Sequence, residues 1–204
     1  MVLPRFLGLF IFIVTGFLAF PISQSKDEFI QAGIAIDIQP FTDISAIESE
    51  YVFTEIKKVY PFTRLNKPII LPKTAYYPAR NRFRADSLIN YLNRKTPEGH
   101  ITIGITTKDI STAKGNITDW GVMGLGFCPG NACIASTFRL TKGQKLEQLF
   151  KVAIHELGHT QGLPHCPVST CFMRDAEGKN STNEEKEFCG SCKALLIKKG
   201  WQLK

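Results

Sequence analysis

Three of the four histidines in the chain fall within eleven consecutive positions, His155-Glu-Leu-Gly-His159-Thr-Gln-Gly162-Leu-Pro-His165. On a helix, residues i and i+4 share a face, so His155 and His159 present imidazole nitrogens to one ion. Gly162 can take φ > 0 at no steric cost, which ends the helix and turns the chain, and His165 then returns as a third ligand. Three protein ligands leave a fourth position open, the catalytic rather than the structural arrangement of zinc. Glu156 adjoins the first ligand and is placed to take a proton from water in that open position. An HExxH pair alone arises by chance, but Gly162 and His165 at their offsets add two independent geometric requirements. Met173, eight residues after His165, fits a turn that sets a methionine beneath the metal. The fourth histidine, His100, precedes a strand pattern and is expected to be an ordinary loop residue.

The cysteines form a second constellation. Cys166 and Cys171 are spaced C-x4-C, and Cys189 and Cys192 follow as C-x2-C after fifteen residues beyond Met173. Four thiolates at such spacing match a tetrahedral structural zinc, giving two zinc ions per chain; two disulfides are the alternative. Cys128 and Cys133 flank a four-residue loop and are expected to close it with a disulfide. Asn116-Ile-Thr118 and Asn180-Ser-Thr182 are glycosylation sequons or unmodified surface loops.

The elements that must position these groups are legible in the hydrophobic periodicity. Ile34, Ile36 and Ile38 alternate as a first strand, and Ala46, Ile47, Tyr51, Val52, Ile56 and Val59 follow at helical spacing up to Pro61. Ile69 to Leu71 reads as a short strand between prolines, residues 85–92 as a second helix, and Ile101, Ile103 and Ile105 as another strand. Residues 120–127 and 132–138 read as a hairpin, and a third helix begins near Gln144 and carries the histidines. This order predicts an α/β fold: a mostly parallel sheet with one antiparallel strand.

With 204 residues, 44% of them apolar and 21% charged, the chain suits one globular domain and excludes disordered or fibrous classes. The surplus of 25 basic over 18 acidic residues is scattered, so no nucleic-acid footprint is expected. Arg5, the apolar run Leu7 to Phe20 and Ser23-Gln24-Ser25 read as a secretory signal over residues 1–25, with an uncleaved anchor as the alternative. The expected product is a secreted monomer with its domain over residues 26–204 and a Cys-rich carboxy-terminal subdomain over 166–204.

His155-Glu-x-x-His-x-x-Gly-x-x-His165-Cys166, Cys171-x-Met173 and Cys189-x-x-Cys192 together resemble the archaemetzincins, metzincin-type zinc peptidases. Leu71-Pro72-x-x-Ala75-Tyr76, Ile103-Gly-Ile-Thr-x-x-Asp109 and Arg139-Leu140 extend a weaker likeness upstream. The resemblance implies a catalytic zinc on His155, His159 and His165, Glu156 as general base, and a structural zinc on the four cysteines. It also implies a metzincin-like mixed sheet whose antiparallel edge strand lines the substrate cleft, here residues 120–127. The expected function is a zinc metallopeptidase acting on a peptide or protein, as an aminopeptidase or an endopeptidase. A non-catalytic secreted zinc module that binds peptides is the alternative, and Glu156 argues against it, since a binding module has no use for a base beside an open metal position. No tyrosine follows Met173 to assist an oxyanion.

Overall fold

The computed structural model describes residues 34–176 and 178–204, so the expected leader over residues 1–25 lies outside the described residues. The elements run β1 (Ala35–Pro40), α1 (Ala46–Val59), β2 (Thr63–Leu65), β3 (Tyr76–Tyr77), β4 (Arg82–Arg84), α2 (Ala85–Asn93), β5 (His100–Thr106), β6 (Ile110–Lys114), β7 (Ile117–Val122), β8 (Gly124–Gly126), β9 (Ala132–Ser136), α3 (Lys145–Thr160) and α4 (Gly190–Lys198). Among the described residues no helix is long and apolar enough to cross a membrane.

The main sheet has the order β2-β1-β5-β9-β8. Its first four strands are parallel, and β8 runs antiparallel to β9 at the edge. Strand alternation sends Ile36, Ile38, Ile101, Ile103, Ile105, Cys133 and Ala135 to one face, where they pack with α1 and α3. Ala132 and Ile134 point to the other face and meet Leu88, Ile89 and Leu92 of α2. Helices therefore cover both faces, which is why β9 is apolar nearly throughout and why β5 is buried from Ile101 to Thr106 although isoleucine alternates there with threonine and glycine. Ser45 opens α1 with a capping box: its hydroxyl accepts from the Glu48 N–H, and the Glu48 carboxylate accepts from the Ser45 N–H.

The predicted class holds, and four details differ. Residues 69–71 form no strand; Ile69 makes a single bridge to Phe41, because Pro68 and Pro72 remove donors and Ile70 lies exposed. The place beside β1 goes to the short, polar β2. Residues 120–127 are not one strand: β7 pairs with β6 in a second sheet, ordered β3-β4-β6-β7, and after Met123 the chain joins the main sheet as β8. His100 is the first residue of β5 rather than a loop residue, and its Nδ1 lies 2.6 Å from Asp37 on β1. Cys128 and Cys133 are both free thiols. Strand alternation buries Cys133 in the face covered by α3, while the Cys128 sulfur stands 3.6 Å from the Leu163 carbonyl.

The segment after α3 shares the main core. Cys171, Phe172, Met173, Phe188, Leu196 and Trp201 belong to the cluster built on α1, α3 and the sheet. Trp201 stacks on Tyr60, just beyond α1, at 4.7 Å between ring centroids.

Candidate metal centre

Helix α3 ends in a glycine cap that does more than stop the helix. Gly162 adopts φ +83°. Its N–H donates to the His159 carbonyl at 2.8 Å and the Leu163 N–H to the Gly158 carbonyl at 3.1 Å, the paired bonds of a left-handed C-cap. The turn directs the chain toward His165. It also delivers the Leu163 carbonyl to His159 Nδ1 at 2.8 Å.

One ring nitrogen from each of His155, His159 and His165 lies within 4.8 Å of the others. Each Nδ1 already faces an acceptor: His155 the Phe172 carbonyl at 2.6 Å, His159 the Leu163 carbonyl, and His165 an Asp175 oxygen at 3.3 Å. A proton held on Nδ1 leaves Nε2 with its lone pair, the tautomer a metal needs. Burial, with His159 nearby, pushes the His155 pKa down to about 4, and burial lowers His159 as well, so these imidazoles are neutral at ordinary pH. The donor set fits zinc with one position left open.

Met173 packs against α3 between the two helical histidines. A Cβ built on Gly158 would stand 2.3 Å from the Met173 sulfur, so the glycine between the two helical histidines makes room for the methionine under the helix. Residue 172, next in line, supplies the carbonyl that orients His155.

Glu156 is buried, and burial raises its pKa to about 8 against a hydrogen bond from the Gly126 N–H. The edge strand lies unusually close. A Cβ on Gly124 would be 2.6 Å from Glu156 Oε1, and one on Gly126 would be 2.7 Å from the Glu156 carbonyl oxygen. Only glycine fits at both places. The sequence reading missed this, although two glycines at strand period two, Gly124 and Gly126, were the available signal. A cavity of about 460 Å³ opens beside His155 and Glu156, between residues 120–124, α3 and the segment 174–185. Its volume is within the roughly 300–1,000 Å³ of ligand clefts.

The four sulfurs of Cys166, Cys171, Cys189 and Cys192 also lie within 4.8 Å of one another. Cys166–Cys189 and Cys171–Cys192 are each 3.7 Å apart, and all four are free thiols. A disulfide is about 2.05 Å, while sulfurs at 2.3 Å from one tetrahedral ion stand about 3.8 Å apart. The spacing fits zinc. N–H groups of Met173 and Cys189 donate to the Cys171 sulfur at 3.5 and 3.3 Å, which suits a thiolate. Burial alone raises Cys189, but the Cys192 N–H and neighbouring sulfurs hold it lower, at about 7.

The family model described as peptidase family M54 matches residues 73–198. The archaemetzincin of Haloquadratum walsbyi is 30% identical over 175 residues, covering 79% of this chain and 98% of that relative. The crystal structure of the archaemetzincin from Methanopyrus kandleri superposes with a TM-score of 0.70 at 26% identity, covering 82% of this chain and 95% of that one. That from Archaeoglobus fulgidus gives 0.67 at 26% identity, covering 79% and 99%.

Proposed function

The chain belongs to peptidase family M54, a family of zinc metallopeptidases that includes the archaemetzincins, and from that premise we propose how its own residues hydrolyse a peptide bond. His155, His159 and His165 would hold the catalytic zinc and Cys166, Cys171, Cys189 and Cys192 a structural one, two ions per chain. Bound zinc supplies Lewis acidity, polarising a carbonyl and bringing the pKa of water in its open position to about 7. Glu156 takes the proton of the attacking water and returns it to the leaving amine. The Gly126 N–H holds its carboxyl on the cleft side of α3. Substrate lies along the free edge of β8, whose outer backbone groups can pair with an extended peptide. Gly124 and Gly126 let that edge, and so the bound peptide, approach Glu156 closely. The chain acts outside the cytoplasm, on the strength of the apolar run at residues 7–20, and as a monomer.

The observation that carries this reading is a buried carboxyl beside a three-nitrogen cluster that opens onto a cleft. A purely binding module gives no reason for that carboxyl. The test is a peptide-library digest read by mass spectrometry. Glu156→Gln should keep its zinc and lose about 10²–10⁴-fold in turnover, the contribution of a positioned base. Parental rates in that variant overturn the mechanism.

A further inference from the structure

The cavity beside the histidines holds a carboxylate with no assigned partner. Glu185, only 5% exposed, lines it together with His155 and Glu156, and its Oε2 has no hydrogen-bond partner. Two cations face it, Lys151 from α3 and Arg174 from the segment after Met173. Each is already held by another carboxylate: Lys151 by Glu147 at 2.6 Å and Arg174 by Glu184 at 2.6 Å. The group thus has three carboxylates for two cations, and the surplus carboxylate is the buried one. Two further cations border the cavity: Arg139, already held by Asp109 at 2.7 Å, and Lys179, which is exposed.

We propose that Glu185 is a specificity-determining residue, and that the cavity it lines takes a cationic group of the peptide, an ammonium or guanidinium. The inference rests on the peptidase reading of the neighbouring site. An unpaired buried carboxylate is costly, so a protein retains one where a ligand completes it. Consistent with this, burial raises the Glu185 pKa to about 7 despite Lys151 and Arg174. A cation seated in the cavity supplies the missing charge, and its alkyl stem meets the apolar wall of Val122, Met123 and Val152. A neutral side chain leaves the carboxyl as it was, and an acidic one adds repulsion. Discrimination then comes from the polar group left unpaired by the wrong ligand.

The cation can belong to a side chain or to the peptide amino terminus, and one peptide series separates the two. Neutral hexapeptides carry Lys, Arg, norleucine or Glu at a single scanned position, each with a free or an acetylated amino terminus. Affinity is measured on zinc-loaded Glu156→Gln protein, where the peptides stay intact. At one position Lys or Arg should bind about tenfold or more tighter than norleucine, and adding Glu185→Gln should erase that ratio. If the source is the terminal amine, acetylation instead of the side chain abolishes the preference. Glu185→Gln keeps the shape and removes an uncompensated charge, so the variant should fold, and its melting temperature checks that it does. Affinities that depend neither on the side chain nor on acetylation with Glu185 present, a preference that survives Glu185→Gln, or no measurable binding of any peptide overturns the proposal. Failure of the parental enzyme to cleave the same peptides would instead count against the peptidase reading, and the binding ratios would still decide on Glu185.

Discussion

The three-histidine and four-cysteine clusters stand side by side in the chain and are built on opposite plans. The histidines come from one helix and the turn that ends it, and His155 and Glu156 border an open cavity. The cysteines come from two loops and the start of α4, and their sulfurs close on one another at tetrahedral spacing. Three donors beside a cleft leave room for chemistry, and four donors around one point leave none. The clusters are nonetheless joined covalently. Cys166 follows His165, and Cys171 precedes both Phe172, whose carbonyl orients His155, and Met173 under the helix. The closed cluster therefore sets the frame in which the open one works.

The largest expected effect tests that hierarchy. Cys171→Ser removes one donor from the closed cluster, and metal binding there is folding free energy. Its loss should exceed about 4 kcal/mol of stability, a range reached by losing a metal site, and should abolish turnover too. His159→Ala should abolish turnover while costing only about 1 kcal/mol, an ordinary substitution. Urea unfolding and elemental analysis of both proteins check this. A Cys171→Ser protein as stable and active as the parent breaks the comparison.

Legibility followed the same division. The histidine site could be read directly because helical period, a cap glycine and a third ligand lie within eleven residues, all local geometry. The cysteine set was visible as spacing, but thiolates and disulfides share that spacing, and only the 3.7 Å sulfur separations distinguish them. What stayed hidden is set by tertiary contact. Gly124 and Gly126 matter because α3 packs against their strand, and β2 is short and polar because it is an edge. Arg139 looked only like part of a family segment. In the fold its guanidinium bonds Asp109 at 2.7 Å and packs over Gly121, tying the second sheet to the cleft wall.

A second difference between the clusters is electrical, and pH exposes it. With the histidine site stripped of metal, burial holds Glu156 at about 8 against an ordinary 4.5. The folded chain then keeps a proton that the unfolded chain releases, so this contribution is full below pH 4.5 and is lost as pH rises to 8. His155, pushed down to about 4, works the other way: its contribution is present above 6.5 and is lost as pH falls through 4. The two oppose each other between 4.5 and 6.5. Above 6.5 the Glu156 effect stands without opposition from His155, and each pH unit is worth at most about 1.4 kcal/mol. With only the histidine site emptied, the parent should therefore lose stability relative to Glu156→Gln treated alike between pH 6.5 and 8. Restoring zinc should flatten the difference, since a cation beside the carboxyl favours its charged form. A difference that is already flat without metal contradicts the burial argument.

Gly158 probes the seam between the two regions. An added Cβ would meet the Met173 sulfur at 2.3 Å, and the methionine must move away from the helix that carries His155 and His159. Overpacking of this kind costs about 1–3 kcal/mol. Gly158→Ala should lower the unfolding midpoint and raise the zinc dissociation constant of the histidine site, both measurable on one preparation. The companion change Met173→Ala should relieve the clash, so the double variant recovers histidine-site affinity relative to Gly158→Ala alone. Failure to recover would mean that the clash with Met173 is not the cause.

The smallest effect concerns Asp175, which lies 3.3 Å from His165 Nδ1. His155 and His159 are oriented by backbone carbonyls, which no side-chain substitution removes, whereas His165 relies on a carboxylate. Such outer partners fix the tautomer and raise ligand basicity, and their loss costs about 10–100-fold in metal affinity. Both members of this pair are about half exposed, so solvent screens the charge and the lower end applies, about tenfold. Asp175→Asn keeps an acceptor oxygen but loses the charge, and should retain part of that affinity; Asp175→Ala should lose all of it. Competition with a chromophoric chelator resolves the two metal sites by affinity. The cysteine site should be unmoved in both variants, because its sulfurs approach one another and the N–H groups of Met173 and Cys189. Equal weakening of both sites would show that Asp175 acts on the frame of the loop, not on His165, and that the two clusters are less separable than their geometry implies.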